Sequence, residues 1–351
     1  MSNSDGKLRT PVAIIVFNRP HVTRRVYEVL RQVKPSTLFV IADGPRDDRP
    51  EDVALCEATR AIFEQVDWDC RVIRNYAAQN LGCGPRPASG ISWVFEQVPE
   101  AIILEDDCLP HPTFFRYCEE LLAYYREDNR IAHIGGTCFY PEINRTHLSY
   151  RFSRFPLCWG WASWRRAWRH FDADLQDWPT MLSNGELDDM LDYWLETKAA
   201  RRFWRERFDA IKGEGKIHTW DYQWILACWR QRALSIYPNV NLVSNLGFGD
   251  DATHTLSAKA TLQPVLKRFG LRVNSALSYG LSAAYDKLFP FRFGDLETSP
   301  IVFPLYHPIV IERDAVADAV LQRRNYQGGF RGAIKRNLKQ WLLTRREEAR
   351  S

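Results

Sequence analysis

Short apolar runs alternate with stretches of helical periodicity over the first 140 residues of the chain. Residues 11–17 (PVAIIVF) are apolar almost throughout, as expected for a strand that is buried on both faces of a sheet. Further strands are predicted at residues 38–42, 71–74, 101–104 and 131–134. Helices are predicted between them at residues 23–33, 53–63, 89–98 and 112–126. This alternation favours an α/β fold with a mostly parallel, twisted sheet and helices on its faces.

The sequence changes character after residue 150. Residues 151–232 are rich in Trp, Arg and Asp, with helical periodicity at 187–204 and 221–229. Two strands are predicted at 234–237 and 240–243, and the polar, glycine-containing stretch that follows them is a candidate mobile lid. We therefore divide the chain at residues 150 and 255. The parts are an α/β half (1–150), a helical Trp-rich half (151–255) and a C-terminal extension (256–351).

Composition and charge narrow the class of protein. The 351 residues are 45% apolar and 26% charged, which excludes a disordered or collagen-like chain. A net charge of +4 is too small for a nucleic-acid-binding surface over the whole chain. The eight cysteines form no CxxC pair, so we predict reduced thiols rather than a zinc site or a disulfide framework. There is no signal-peptide pattern and no apolar run of ~18 residues, so we expect a cytoplasmic protein without a membrane span.

Charged residues follow three of the predicted strands. Arg19 comes after the first strand, Asp43 after the second, and the run Glu105-Asp106-Asp107 after the fourth. Ligands of open α/β sheets bind at the carboxyl ends of the strands, so we expect these side chains to line one crevice. Consecutive carboxylates repel one another unless a positive charge lies among them, and oxygen ligands favour Mg²⁺ or Mn²⁺, which would clamp a diphosphate leaving group. The alternative is a solvated acidic turn at the start of the next helix, where carboxylates are also favourable.

The segment AIILEDDCLPHPTFFRYCEELL, which contains this acidic run, resembles the strand, metal motif and following helix of nucleotide-sugar glycosyltransferases with the GT-A fold. It is similar to the eukaryotic Golgi N-acetylglucosaminyltransferase I group. It is more similar still to bacterial glycosyltransferase-like proteins of the haemolytic-protein-like group, which occur with surface-polysaccharide genes. Further segments occur in the same order and together cover residues 11–255: PVAIIVFNRP, FVIADG, NLGCG, FPLCWGWASW, TWDYQWI and YPNVNLVSNLGFGDDATHT. Such an ordered series is far more specific than the acidic run alone.

The resemblance implies a set of donor-binding residues. Arg19 matches a position near the donor nucleotide, and Asp43 matches one that binds the base or the ribose. Asp107 matches the position that ligates the metal. Glu105 and Asp106 match positions that touch the sugar and the ribose of the donor.

The resemblance also implies a loop that closes over the diphosphate, at residues 245–254. His254 is its candidate phosphate contact, the alternative being a structural hydrogen-bonding role. Asp250 and Asp251 stand where the Golgi enzymes carry other residues, and they are unfavourable near a diphosphate unless they face away or touch the metal. Arg86, after a loop with two glycines, is a further candidate for the phosphate or base; the alternative is a surface arginine or one paired with a carboxylate.

An inverting transfer needs a base within hydrogen-bond reach of the acceptor hydroxyl. Asp221 matches the aspartate that serves as base in the similar Golgi enzymes, and desolvation by nearby tryptophans would raise its pKa. The alternative is a helix N-cap. Ten of the thirteen tryptophans lie between residues 159 and 229, where they suit a core, a partner surface or a sugar-stacking platform. We predict packing for Trp164 and Trp168 and acceptor contacts for Trp159, Trp161 and Trp220.

The end of the chain predicts a basic amphipathic helix. Residues 331–350 carry seven basic side chains, with apolar residues at helical spacing. An enzyme with a lipid-linked glycan acceptor would benefit from such a helix on an anionic membrane face, which would make the protein peripheral on the inner membrane. The alternative is a terminal helix whose apolar face packs on the body of the protein.

Together these features predict a metal-dependent, inverting glycosyltransferase with Mn²⁺ or Mg²⁺ as cofactor and no nucleic-acid partner. It would move a sugar, with N-acetylglucosamine as one option, from a UDP-linked donor to a carbohydrate acceptor in surface-polysaccharide or glycan synthesis. One alternative is a sugar nucleotidyltransferase, which would normally carry a glycine-rich loop with a basic residue where this chain has FNRP. The other is a non-catalytic carbohydrate-binding protein of the same fold.

Overall fold

The computed structural model describes residues 7–139, 147–212, 219–247 and 296–322. Strands and helices alternate through the first of these ranges. Its strands are β1 (Val12–Val16), β2 (Thr37–Ala42), β3 (Arg71–Tyr76), β4 (Glu100–Glu105), β5 (Cys108–Pro110) and β6 (Ile131–Gly135). Its helices are α1 (Pro20–Val33), α2 (Glu51–Ala61), α3 (Pro85–Gln97) and α4 (Thr113–Tyr124).

The later ranges add four strands and six helices to the described part of the chain. The strands are β7 (Tyr150–Ser153), β8 (Trp161–Trp164), β9 (Leu234–Pro238) and β10 (Val243–Asn245). The helices are α5 (Arg165–Trp168), α6 (Trp178–Ser183), α7 (Glu186–Trp194), α8 (Lys198–Lys212), α9 (Asp221–Arg230) and α10 (Ala315–Leu321).

Eight strands form one sheet in the order β3-β2-β1-β4-β8-β6-β9-β7. Strands β1, β2, β3 and β4 are parallel neighbours, β6 is parallel to β9, and β8 and β7 run antiparallel to the strands they pair with. The predicted class, a mostly parallel sheet flanked by helices, is confirmed. One sheet includes strands from both sides of residue 150, and β10 pairs with β5 in a separate two-stranded sheet.

Strand β1 shows why its sequence is continuously apolar. Val12, Ile14 and Val16 pack into the core on one face of the sheet, whereas Ala13 and Ile15 pack into the core on the other face. A strand covered on both faces has no polar positions, because every side chain leaves water. The carboxyl end of β1 therefore lies inside the protein, where the polar residues that follow it need partners.

Buried tryptophans of the second half pack in two clusters of the core. Trp178, Trp194, Trp204 and Trp229 pack together in a cluster formed mainly by helices α6 to α9. Trp161, Trp168, Trp220 and Trp224 pack in a different cluster beside α3 and the sheet. The rings contact one another at centroid distances such as 4.8 Å for Trp204 and Trp229 and 5.0 Å for Trp168 and Trp224, in the range of favourable aromatic pairs.

The structure differs from the predicted elements in several places. The helix predicted at 187–204 is two helices, α7 and α8, which are separated by residues 195–197. The two strands predicted at 234–243 do not pair with each other, because β9 joins the large sheet and β10 joins β5. Strand β8 was not predicted: all four of its residues are buried, so it lacks the polar alternation of a half-buried strand.

The last described range, 296–322, is attached to both halves of the chain. The Ser299 amide donates to the Asn241 carbonyl at 2.8 Å, and the Ile301 amide donates to Thr113 Oγ1 at 3.2 Å. Farther on, the buried Asp318 accepts a hydrogen bond of 2.6 Å from Ser153 Oγ of β7. No described helix is long and apolar enough to cross a membrane. The eight cysteines, all within the described ranges, form no disulfide, as predicted.

Candidate active site

Arg19 lies between two of the carboxylates that follow β4. Its Nη2 donates to Asp107 Oδ2 at 3.0 Å and also pairs with Asp106 Oδ1, while its Nε is 3.4 Å from Asp106 Oδ2. These residues meet because β1 and β4 are parallel neighbours, so that both chains leave the sheet at the same edge. Consecutive carboxylates need a positive charge among them, and Arg19 provides one.

Burial strengthens the ion pairs that Arg19 forms with Asp106 and Asp107. The side chains of Arg19, Asp106 and Asp107 are only 18%, 5% and 12% exposed. Burial alone would lower the pKa of Arg19, but the charges of Asp106 and Asp107 outweigh it and raise that pKa above its usual value. Burial raises the pKa of Asp106 although Arg19 opposes the rise. The ion pairs are therefore strong because little water screens them.

Asp221 lies close enough to Glu105 to act on its pKa. Burial raises the pKa of Glu105 well above its usual range, and the charges of Asp107, Asp106 and Asp221 add to that rise. Burial also raises the pKa of the half-buried Cys83 thiol, and Glu105, Asp43 and Asp221 act on it together. The structure thus brings the start of α9 to the edge of the sheet where β2 and β4 end.

Asp221 is the first residue of α9 rather than its N-cap. The N-cap is Trp220, whose side chain makes no capping hydrogen bond, and the Asp221 carboxylate accepts a hydrogen bond from the Thr219 hydroxyl. Asp221 is half-buried. A carboxylate at the first turn of a helix is stabilised by the helix dipole, which counters the repulsion from Glu105.

The carboxylate of Asp43 is fully engaged with the protein. Its Oδ1 accepts hydrogen bonds of 2.9 Å from the Gly44 and Leu81 amides, and its Oδ2 accepts bonds of 3.0 Å from Asn80 Nδ2 and the Gly82 amide. Four donors match the capacity of a carboxylate. Asp43 therefore fixes the loop at residues 80–82 against the end of β2. A base or ribose that bound Asp43 directly would have to displace one of these donors.

Arg86 also has structural partners. It is buried, its Nε donates to the Ala42 carbonyl at 3.2 Å, and its Nη2 donates to the Asn75 carbonyl at 2.5 Å and to Asn75 Oδ1 at 3.0 Å. These bonds tie α3 to the ends of β2 and β3. Neither of the alternatives considered for Arg86, a surface position or a carboxylate partner, describes it.

The beginning of the predicted lid loop lies directly on Asp107. Asn245 pairs with Cys108 in the two-stranded sheet, and the Leu246 amide donates to the Asp107 carbonyl at 2.7 Å. Gly247 follows, so close to Asp107 that a Cβ atom at residue 247 would overlap Oδ2 and would lie 3.0 Å from Asn245 Oδ1. The sequence did not predict this pairing, because the local pattern of neither segment indicates which strand it pairs with.

Asp107 suits a cation that also binds a phosphate ligand. The described residues contain no cluster of three His, Cys, Asp or Glu side chains arranged to hold a metal ion. Mg²⁺ typically uses one or two carboxylates, several waters and substrate phosphates rather than an all-protein cage. A hard cation held by the Asp107 carboxylate, waters and a diphosphate fits this set of oxygen donors.

The predicted acceptor tryptophans are mostly interior. Trp161 has no exposed surface, because β8 lies between β4 and β6, and it stacks on Trp220 at 5.7 Å and on His133 at 5.1 Å. Trp220 is 5% exposed, whereas Trp159 is half-buried. Trp164 and Trp168 are buried, as their predicted packing role requires. A direct acceptor contact therefore has surface available at Trp159 and at the edge of Trp220, but none at Trp161.

Gly160 serves a contact within the protein. Its φ of +63° favours glycine, and a Cβ there would lie 2.7 Å from Val243 Cγ2. The contact of β10 with Gly160 did not follow from the sequence pattern.

Three sequence predictions fall outside the residues that the structure describes. They are His254, residues 248–254 of the predicted lid loop, and the basic helix predicted at 331–350.

No protein-family model matches the chain. No curated protein matches it. Several solved structures are similar to it. A mannosyltransferase from Pyrobaculum calidifontis, in complex with GDP-Man and Mn²⁺, is 13% identical, with 82% of this chain and 89% of that chain covered and a TM-score of 0.36. The galactosyltransferase LgtC, in complex with donor and acceptor sugar analogues, is 10% identical, with 72% and 94% covered and a TM-score of 0.32. A UDP-glucose pyrophosphorylase complexed with UDP-glucose is 10% identical, with 65% and 90% covered and a TM-score of 0.31. At these identities and scores, function has to be argued from the residues of this chain.

Proposed function

We propose that the protein is a metal-dependent, inverting glycosyltransferase that uses a UDP-sugar, with N-acetylglucosamine as one candidate sugar. The acceptor is a carbohydrate, free or lipid-linked, in surface-polysaccharide or glycan synthesis. One observation carries the proposal: Arg19, the acidic run at 105–107 and Asp221 meet at one edge of the sheet, although they are far apart in sequence. This arrangement provides a cation, oxygen ligands and a separate carboxylate, which are the groups that such a transfer needs.

The donor side would consist of Arg19 and the acidic run. In the proposal, Asp107 holds Mn²⁺ or Mg²⁺ through its carboxylate, and Glu105 and Asp106 contact the sugar and the ribose. The metal, when bound, supplies positive charge that stabilises the departing diphosphate. Gly247, which lies against Asp107, begins the loop that would cover the phosphates. Asp43 would act on the donor indirectly, since it holds the 80–82 loop that borders the same crevice.

The acceptor side would consist of Asp221 with Trp220 and Trp159. As the acceptor hydroxyl oxygen bonds to the anomeric carbon, its proton passes to the Asp221 carboxylate and the bond from that carbon to the diphosphate breaks, with its electron pair going to the diphosphate. Attack from the side opposite the diphosphate inverts the anomeric configuration. The exposed parts of the two tryptophan rings would provide apolar surface for the acceptor sugar.

A sugar nucleotidyltransferase is the main enzymatic alternative. Such an enzyme would normally bind the triphosphate with a glycine-rich loop after the first strand. Here β1 ends at Val16 and is followed by Phe17, Asn18 and Arg19, and α1 begins at Pro20 without a glycine in between. These observations favour the glycosyltransferase.

A panel of nucleotide sugars, each incubated with the protein and Mn²⁺, tests the proposal without knowledge of the acceptor. We expect slow, metal-dependent release of UDP from one UDP-sugar. Once an acceptor is known, Asp221→Asn should abolish transfer while UDP affinity stays within about twofold, since the base acts on the acceptor. Asp189→Asn, which changes an exposed carboxylate of α7, is the matched control and should keep full activity. Full activity in Asp221→Asn would move the base elsewhere, and binding of a glycan without release of UDP would favour the non-catalytic alternative.

A further inference from the structure

The guanidinium of Arg19 places a positive charge beside Asp107. A single guanidinium nitrogen, Nη2, contacts both Asp106 and Asp107. The two carboxylates therefore have a cationic partner within the protein itself.

The backbone of Arg19 is fixed, while its side chain can move. The Arg19 carbonyl accepts hydrogen bonds from the Thr23 amide at 3.0 Å and the Thr23 hydroxyl at 2.8 Å, which anchor it to the first turn of α1. The side chain is partly exposed, at 18%, and it has several rotatable bonds beyond the fixed backbone. Its guanidinium can thus change partners without any movement of β1 or α1.

We propose that Arg19 is a resident counter-ion that makes the binding of metal and nucleotide diphosphate cooperative. The inference rests on the proposed function and adds to it the order of events at the same site. In the free protein, Arg19 neutralises Asp106 and Asp107. When metal and diphosphate arrive together, the metal takes the Asp107 carboxylate and the guanidinium turns to a phosphate oxygen.

Charge explains the cooperativity. A divalent cation that binds Asp107 alone meets the guanidinium at close range in a poorly hydrated site, and like charges repel strongly there. A diphosphate gives the guanidinium a new anionic partner, for which arginine has favourable geometry. The ligands therefore raise each other's affinity, and this coupling is reciprocal. Direct coordination of the metal by the diphosphate adds to the coupling but does not depend on Arg19.

Removing the guanidinium separates these two contributions. Arg19→Gln leaves Asp106 and Asp107 without their counter-ion, so Mn²⁺ alone should bind this variant at least ~10-fold more tightly than wild type, and the gain from UDP should shrink. Arg19→Lys is the matched control: it keeps a positive charge near the carboxylates, so Mn²⁺ alone should bind it as weakly as wild type.

Mn²⁺ binding is measured by electron paramagnetic resonance of the free ion, with and without UDP, for the full chain and both variants. Melting temperature gives a second readout, since Mn²⁺ alone should raise it for Arg19→Gln and leave it nearly unchanged for wild type. If wild type binds Mn²⁺ with UDP but Arg19→Gln gains no affinity for Mn²⁺ alone, the inference is wrong and the proposed function stands. An equal gain in Arg19→Lys, or equal Mn²⁺ affinity of wild type with and without UDP, also overturns the inference. If wild type binds no Mn²⁺ even with UDP, the proposed function fails as well.

Discussion

Replacing Gly247 with alanine is expected to weaken the binding of UDP with Mn²⁺ while the protein stays folded. The added Cβ atom would overlap Asp107 Oδ2 and would lie 3.1 Å from Asp107 Cγ and 3.0 Å from Asn245 Oδ1. Gly247 is not among the described glycines with positive φ, so its backbone conformation suits alanine and crowding is the only new cost. Either Asp107 or the chain at 245–247 must move to make room for the methyl group.

The size of the effect follows from this overlap. Inserting a methyl group into a well-packed site costs roughly 1–3 kcal/mol, and about 1.4 kcal/mol corresponds to a tenfold change in affinity. If this free energy is needed to restore the conformation of Asp107 that binds the metal, affinity for UDP with Mn²⁺ should drop by about 5- to 150-fold. UDP affinity without metal should change much less, because the perturbed group is the proposed metal ligand.

Isothermal titration of UDP, with and without Mn²⁺, measures both quantities. Gly185→Ala is the matched control: Gly185 precedes α7 with a φ of +81° and open space around its Cβ position. This control should lower stability by about 1 kcal/mol through backbone strain and leave UDP binding unchanged. Unchanged metal-dependent affinity in Gly247→Ala would refute the placement of the metal at Asp107.

Two further predictions concern groups that support the site. Asp43→Asn replaces a carboxylate that accepts four hydrogen bonds with an amide that also donates. We expect the free energy of unfolding in urea to fall by about 1–3 kcal/mol and UDP to bind more weakly. Unchanged stability would contradict the role assigned to Asp43. Burial lowers the pKa of His133 to about 3, although the hydrogen bond with the Leu157 carbonyl opposes this shift. The other ring nitrogen, Nδ1, lies 3.2 Å from Trp224 Nε1. Since the unfolded chain binds a proton more readily than the native state between pH 6.5 and 3, this histidine should cost roughly 4 kcal/mol of stability as pH falls across that window. The non-titrating variant His133→Gln should show a shallower fall in unfolding free energy with acid, and an equal slope would refute this assignment.

Much of the sheet could be predicted from local pattern alone. Strand β1 is apolar throughout because both of its faces are covered, and the alternation of strands and helices determined the parallel class. Strand β8 was missed because the sequence WASW has neither an apolar run of sufficient length nor alternation. Its position between β4 and β6 depends on contacts with residues more than 25 positions away, which no local window contains.

The residues that meet at the site could be predicted from the sequence, but not all of the groups with which they form hydrogen bonds and ion pairs. The ends of parallel strands must meet at one edge, so the meeting of Arg19 with Asp106 and Asp107 followed from topology. That Arg19 pairs with both carboxylates did not follow from the sequence, because the partners of an ion pair depend on side-chain packing. The full engagement of Asp43 by the 80–82 loop depends in the same way on the path of a loop.

Titration of UDP into the wild-type protein and into Asp107→Asn, each with and without Mn²⁺, tests the central claim most directly. The account predicts that Mn²⁺ raises the affinity of wild type for UDP by at least about tenfold and that Asp107→Asn loses this gain while remaining folded. UDP affinity in wild type that does not respond to Mn²⁺ or Mg²⁺ would contradict the proposed metal-dependent transfer.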